Sequence, residues 1–311
     1  DAITDGTVNT LIGYQAGTSL TSGSANVAIG YLALATEDGH GRNIAIGQQA
    51  LEDLNAGANG NNIAIGYDCG KQMTTGTLNT IIGNQAGDAL TEGNTNVVMG
   101  YHALGSETLG DRNVAIGTYA LQNQNNTSDT DAYNVAVGYG SGQSMTTGTL
   151  NTIMGGLAGD QVTTAGENVL IGYDSGGALT IGGSNVSVGT YALNAETEHG
   201  RNVAVGHEAL GTLNAGAHGH NTAVGYFAAK TLSTGTGNTY LGSEAGQNAT
   251  TGGDNVGIGY KALRGLTTGQ ANIAIGQMAL NTEDTGSRNV AIGQDALRRQ
   301  DYDGNAYNVG I

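Results

Sequence analysis

The side chains best suited to chemistry are few and scattered. His218-Gly219-His220 sets two imidazoles one residue apart, a spacing that can share a transition metal such as iron, but no Cys or carboxylate stands beside them at ligand spacing. Oxygen ligands gather elsewhere. Asp129 with Asp131, preceded by Asn123, Asn125 and Asn126, and Asp301 with Asp303 near Asn305 offer groups that calcium or sugar hydroxyls would accept. Neither stretch carries the full helix–loop–helix calcium signature, so solvated loop carboxylates are the plainer reading. No cofactor is otherwise expected. A third word occurs four times, as Glu37…Arg42, Glu107…Arg112, Glu196…Arg201 and Glu283…Arg288. It reads as an ion pair, within or between subunits, that sets register, with sugar binding by the Arg as an alternative. Exposed pairs of this kind contribute only about 0–1 kcal/mol. No Ser-His-Asp set, nucleophile elbow or recurring close carboxylate pair is present, so an enzyme is not expected. A β-helical polysaccharide depolymerase and an ice-binding solenoid stand as lesser alternatives. The first would bring its carboxylates together only in three dimensions, and the second needs a flat Thr face that the scattered Thr do not make.

All of these words sit in the connections of one repeat. An Asn recurs at Asn9, Asn26, Asn43, Asn62, Asn79, Asn96, Asn113, Asn134, Asn151, Asn168, Asn185, Asn202, Asn221, Asn238, Asn255, Asn272, Asn289 and Asn308, seventeen residues apart except at four wider gaps. A β-branched residue always follows it, and two positions further on stands Ile, Val, Leu or Met, which is the alternation of a short strand. A Gly comes next (Gly13 to Gly293), and three positions later a small residue: Ala in most copies, or Cys69, Ser141 and Ser175. Turns such as "TTGTLN" lead back to the next Asn. A unit of this size buries an apolar side only against its neighbours. The pattern therefore predicts an all-β, parallel β-solenoid (a β-roll) of about eighteen coils in a single repeat domain spanning residues 1–311, ~85 Å long at one interstrand spacing per coil. The Asn column is expected to form a structural ladder of side-chain amides.

Composition agrees. The 311 residues include 55 Gly and no Pro, where average usage would give roughly 15 Pro; Pro cannot donate to a sheet ladder. The net charge of −16 disfavours nucleic acid and anionic membranes, and no segment approaches the ~20 apolar residues of a membrane span. One Cys excludes an internal disulfide; Cys69 takes the Ala slot and reads as a small buried filler. Asp1 in place of Met is expected of a processed chain or an excised part of a longer fibre.

The middle residue of each strand is expected to face away from the coil interior. It is Ala in nine copies, among them Ala115 and Ala204, and is never charged. A strand apolar on both faces is buried on both, so this middle slot is predicted to pack against other copies of the chain. The bulky middle residues Leu11, Ile81, Ile153 and Tyr240 follow Asn-Thr and read as volume compensation with the Thr inside. Eight Tyr that follow the corner Gly, from Tyr14 to Tyr260, read as packing, with a carbohydrate-stacking face as the alternative. Binding is expected in the four wider loops, 54–61, 122–133, 213–220 and 298–307.

The repeated "NVAIG" with small residues after it resembles the head of trimeric autotransporter adhesins, and "NTLIGYQAG" alternating with "NVAIGYLAL" is similar to repeats of phage tail-fibre and bacterial surface-fibre proteins. The resemblance covers essentially the whole chain. It implies a left-handed roll, a homotrimer, a structural or adhesive role at a bacterial cell surface or on a virion, and a carbohydrate or other host-surface receptor. It also implies that His218 and His220 are worth weighing as an axial iron site. An extracellular filament of rolls stacked end to end, through the bare start "DAITDG" and the short last coil "NVGI", is the runner-up.

Overall fold

The computed structural model describes residues 3–311, so Asp1 and Ala2 of the expected stacking end lie outside it. The described residues contain strands and turns and no helix, hence none long and apolar enough to cross a membrane. The chain divides into two compact units, one ending at Gly156 and the other spanning Leu157–Ile311. Each is a parallel β-solenoid of nine coils. A strand of two or three residues opens directly after every column Asn, running from Thr10–Ile12 to Thr152–Met154 in the first unit and from Val169–Ile171 to Val309–Gly310 in the second. Within a unit each strand pairs in parallel with its equivalent one coil on, as Val27↔Ile44 and Ala28↔Ala45 show.

With the column Asn as position 0, each coil turns through left-handed backbone at fixed places. Positions −1, +6 and +8 have φ of about 47–72° in successive coils, occupied by residues as ordinary as Arg42, Leu32 and Leu34. Such a conformation costs on the order of 1 kcal/mol for a residue with a Cβ. Hydrogen bonding offsets it. These N–H groups point to neighbouring coils: Arg42 donates to the Ser24 carbonyl (3.1 Å), Leu32 to Tyr14 (3.0 Å) and Leu34 to Ala50 (3.0 Å). Position +4 is more extreme, with φ of 126–144°, a region open only to Gly. Gly117 there meets a second constraint, because a Cβ would overlap the carbonyl of Gly138 in the following coil.

The column Asn ties coil to coil. The backbone N–H of Asn96 donates to Asn79 Oδ1 at 2.8 Å and its side-chain amide to the same oxygen at 3.2 Å; the amide also reaches the Gly110 carbonyl at 3.0 Å. The same three bonds recur at Asn79, Asn238, Asn255 and Asn272. Nearly all column Asn are fully buried.

The strand faces are the reverse of the sequence expectation. The middle residue points into the coil: Ala28, Ala115, Ala204, Ile81 and Tyr240 have no exposure. The residues on either side of it point out, with Ile12, Met99, Met154 and Ile275 at 37–58% exposure. The coil interior is too narrow for two branched side chains per strand, because positions +8 and +11 also fill it. Position +8 is the true counterweight to the middle slot. Ala28, Ala45, Ala115 and Ala204 face Leu34, Leu51, Leu121 and Leu210, whereas Leu11, Ile81, Leu170 and Tyr240 face Gly17, Gly87, Gly176 and Gly246. A Cβ on Gly17 would come within 2.8 Å of Leu11 Cδ2, and one on Gly246 would enter the Tyr240 ring. Volume compensation in these coils therefore runs from +2 to +8 and not to the Thr at +1. Ala64 with Gly70 and Ala136 with Gly142 depart from it, the space at those Gly being taken by Leu51 and Ile81 and by Leu121 and Ile153 of neighbouring coils.

Two substitutions follow from this geometry. Gly117→Val puts a side chain into a carbonyl and should cost a few kcal/mol, read as a lower Tm; wild-type melting would refute the corner assignment. Ala115→Asp buries an unpaired carboxylate inside one coil, so its Tm should fall equally at low and high protein concentration. A loss that appears only on dilution would return the middle slot to an interface.

Candidate functional site

The four wider gaps follow the four Glu–Arg words, and the side-chain contacts explain why. Position +11 is a core plug, filled by residues such as Leu20, Met73 or Leu266 in ordinary coils. Glu37, Glu107, Glu196 and Glu283 occupy the same slot and are completely buried. None pairs with the Arg of its own word, so the expected ion pair is not formed within the chain. Each carboxylate instead accepts from backbone N–H groups of its own turn and of the widened loop one coil later. Glu107 takes Thr108, Leu109 and Gly110 (2.8–3.1 Å), then Asn126 through both its backbone and side chain, and Gln124 Nε2 at 3.1 Å. Glu37 reaches His40 and Ala56, Glu196 reaches His199 and Ala215, and Glu283 reaches Gly286, Gln300 and Tyr302. A charged acceptor suits a loop whose added residues have left the regular ladder. The Asn43 and Asn113 amides show that break, since neither Nδ2 finds a partner.

In two of the four words the Arg acts from outside. Arg112 pairs with Asp131 and lies 5.5 Å from the Tyr133 ring centre; Arg288 donates to Tyr307 Oη at 2.8 Å and covers that ring at 5.6 Å. The largest loop, 122–133, is thus held by Glu107 within and Arg112 without. It adds a two-residue parallel ladder, Gly110↔Thr130 and Asp111↔Asp131. This setting divides the predicted binding residues. Asn126 is buried on Glu107, Asn125 accepts from Thr108 Oγ1 at 2.9 Å, and Asp131 belongs to Arg112. Asn123 and Asp129 stay exposed. Asp129 joins Thr75, Glu92, Asn94 and Leu109 around a cleft of about 240 Å³. Asn94 is a fixed wall: its Oδ1 accepts from Thr77 and its amide donates to Glu92 and Asp111. Asp111 behind it has its carboxyl pushed up by burial first, with the Asp129 charge adding to that effect. Glu92 and Asp129 present open acceptors, suited to a hydroxyl-rich or cationic ligand.

The other predicted residues do not converge on this cleft. Asp303 accepts from Thr285 Oγ1 at 2.7 Å, and Asn305 bridges to Ser287. Asp301 gathers with Glu283 and Asp284, and the charge of Asp284 raises its carboxyl above the usual range. Glu37, Asp38 and His40 form the only other such trio among the described residues. In both trios the buried Glu already accepts backbone N–H groups, which leaves it little to offer an ion. His218 and His220 are exposed, with ring centres 6.2 Å apart, and belong to neither trio. Cys69 is a buried filler whose Sγ lies 3.3 Å from the Ile81 carbonyl; burial pushes its thiol up to about 12. The cleft walls Thr75, Glu92 and Leu109 escaped the sequence reading because each occupies the same turn position in successive coils, where a repeat hides what one extra loop closes over. No model of a known protein family matches the sequence, and no curated protein does.

The device is testable through its coupling. Trimming loop 122–133 by the four residues that separate its 21-residue gap from the regular seventeen leaves Glu107 buried without its cross-coil donors. That change alone should cost several kcal/mol. Trimming together with Glu107→Leu restores an ordinary plug and should recover most of the Tm. Equal Tm for the single and the double change would refute the anchor.

Proposed function

We propose that this chain is a structural and adhesive segment of a fibre at a bacterial cell surface or on a virion, without enzymatic activity, in which copies of the chain associate, three together, and loops are displayed to a surface receptor. The observation that carries this reading is the outward strand face. Position +1 is always Val, Ile or Thr and position +3 always Ile, Val, Leu or Met, with no charge in any coil. These side chains are only partly covered by their own chain. At ~4.8 Å between strands and ~3.3 Å per residue, each unit presents on the order of 400 Å² of such face. The face of one unit is thus about half of the ~800 Å² per partner of a stable interface. A partner that matches a charge-free stripe at every coil needs the same repeat, and a second copy has it. The trimer rests on the resemblance to trimeric surface fibres. The loops fit display: they are the places where the regular ladder is interrupted and polar groups are left open.

Ile275→Asp with Ile292→Asp places two charges on the outward face of every copy without entering the coil. Native mass spectrometry should then report a monomer in place of a trimer, with far-UV circular dichroism unchanged. A trimer that survives both charges would sink the proposal that this face is the interface.

A further inference from the structure

The second unit carries a run of rings outside its core. Tyr173, Tyr191, His207 and Tyr226, with Phe227 beside the last, come from four successive coils. Their centres are separated by 5.6 Å, 6.5 Å, 5.6 Å and 3.9 Å in turn. The rings brace one another, edge to face at Tyr173–Tyr191 and Tyr191–His207 and stacked from His207 onward, so their positions are set without a ligand. They are not core. Tyr173, Tyr191 and Tyr226 are 38–50% exposed. Carboxylates stand among them: Asp174 beside Tyr173, and Glu208 beside His207, held by Lys230 Nζ at 2.7 Å. Lys230 also caps Phe227, 4.1 Å from its ring centre.

We infer that this aromatic ladder binds a neutral polysaccharide along the stack of coils. The inference rests on the surface-attachment reading above and names its ligand class. Half-exposed rings offer apolar area to the C–H faces of pyranoses, and interleaved carboxylates accept their hydroxyls. Four coils at ~4.8 Å extend about 14 Å, a track for several linked sugars. Single-stranded nucleic acid also stacks on rings but needs a basic groove; here the flanks are acidic and the chain carries −16. Another copy of the chain is disfavoured because Asp174, Glu208 and Lys230 would be desolvated beside the rings, whereas the charge-free strand face offers copies a better surface. The acidic flanks also exclude anionic glycans.

The test is calorimetric titration of the full chain with neutral oligosaccharides of one to six glucose units, and with the matching N-acetylglucosamine series. Affinity should rise with length and then level off. Tyr191→Ala with Tyr226→Ala should weaken binding roughly tenfold or more, while Tyr67→Ala, an isolated ring in the first unit, should not change it. Should the double change lower the Tm, Asp174→Asn with Glu208→Gln keeps every ring and should still weaken binding. No binding in either series, affinity independent of length, or wild-type affinity in both variant pairs would overturn the inference. Native mass measured on the same samples separates the readings: a wild-type chain that forms trimers but binds no glycan loses the ladder and keeps the fibre.

Discussion

The hydrogen bonds that run along each stack of coils constrain everything else. A coil closes in seventeen residues only by turning sharply, and it turns through left-handed backbone that directs N–H groups at the coils on either side. Gly is obligatory where φ passes 120° and a carbonyl from the next coil fills the space of a Cβ. Elsewhere Leu, Arg or Tyr adopt a milder left-handed conformation, offset by the bonds that their N–H groups make to neighbouring coils. Pro would remove a donor at almost any position, and the chain has none. The column Asn adds side-chain amides to the same axis.

An invariant ladder makes insertions hard, and the four widened loops show how this chain accommodates them. Added residues displace the carbonyl that the preceding Asn amide would meet, and new backbone N–H groups enter a buried place. A Glu in the core plug one coil earlier collects those donors, and in two of the four loops an Arg outside, Arg112 or Arg288, lies against a Tyr ring of the loop. Buried carboxylates are costly unless fully paired, and Glu107 with its ring of donors meets that condition. The loop and the Glu therefore stand or fall together. An inserted loop on this scaffold is anchored from within the core, which suits a cleft such as the one around Glu92 and Asp129.

The two surfaces outside the core differ in kind. The strand face is without charge at every coil, with Val, Ile or Thr at +1 and Ile, Val, Leu or Met at +3. The ladder of Tyr and His rings lies among carboxylates and a Lys, a mixture that stays wet and favours a hydroxylated ligand. One narrow coil thus presents a charge-free strand face and a mixed aromatic and charged run of rings.

Much was legible without coordinates. The period, the parallel in-register strands, the corner Gly, the small residue at Cys69 and Ser141 and the bonding role of the Asn column all follow from side-chain size and backbone freedom repeated at a fixed interval. Two matters were not legible. Alternation in a three-residue strand does not say which face is inside: Ala28 and Ile29 are both apolar, and only the volume already taken by Leu34 and by position +11 sends the Ile outward. Nor does spacing reveal that Glu107 ignores Arg112. That was decided by burial, because a carboxylate in a core slot binds the donors enclosed with it, and those come from a loop one coil away.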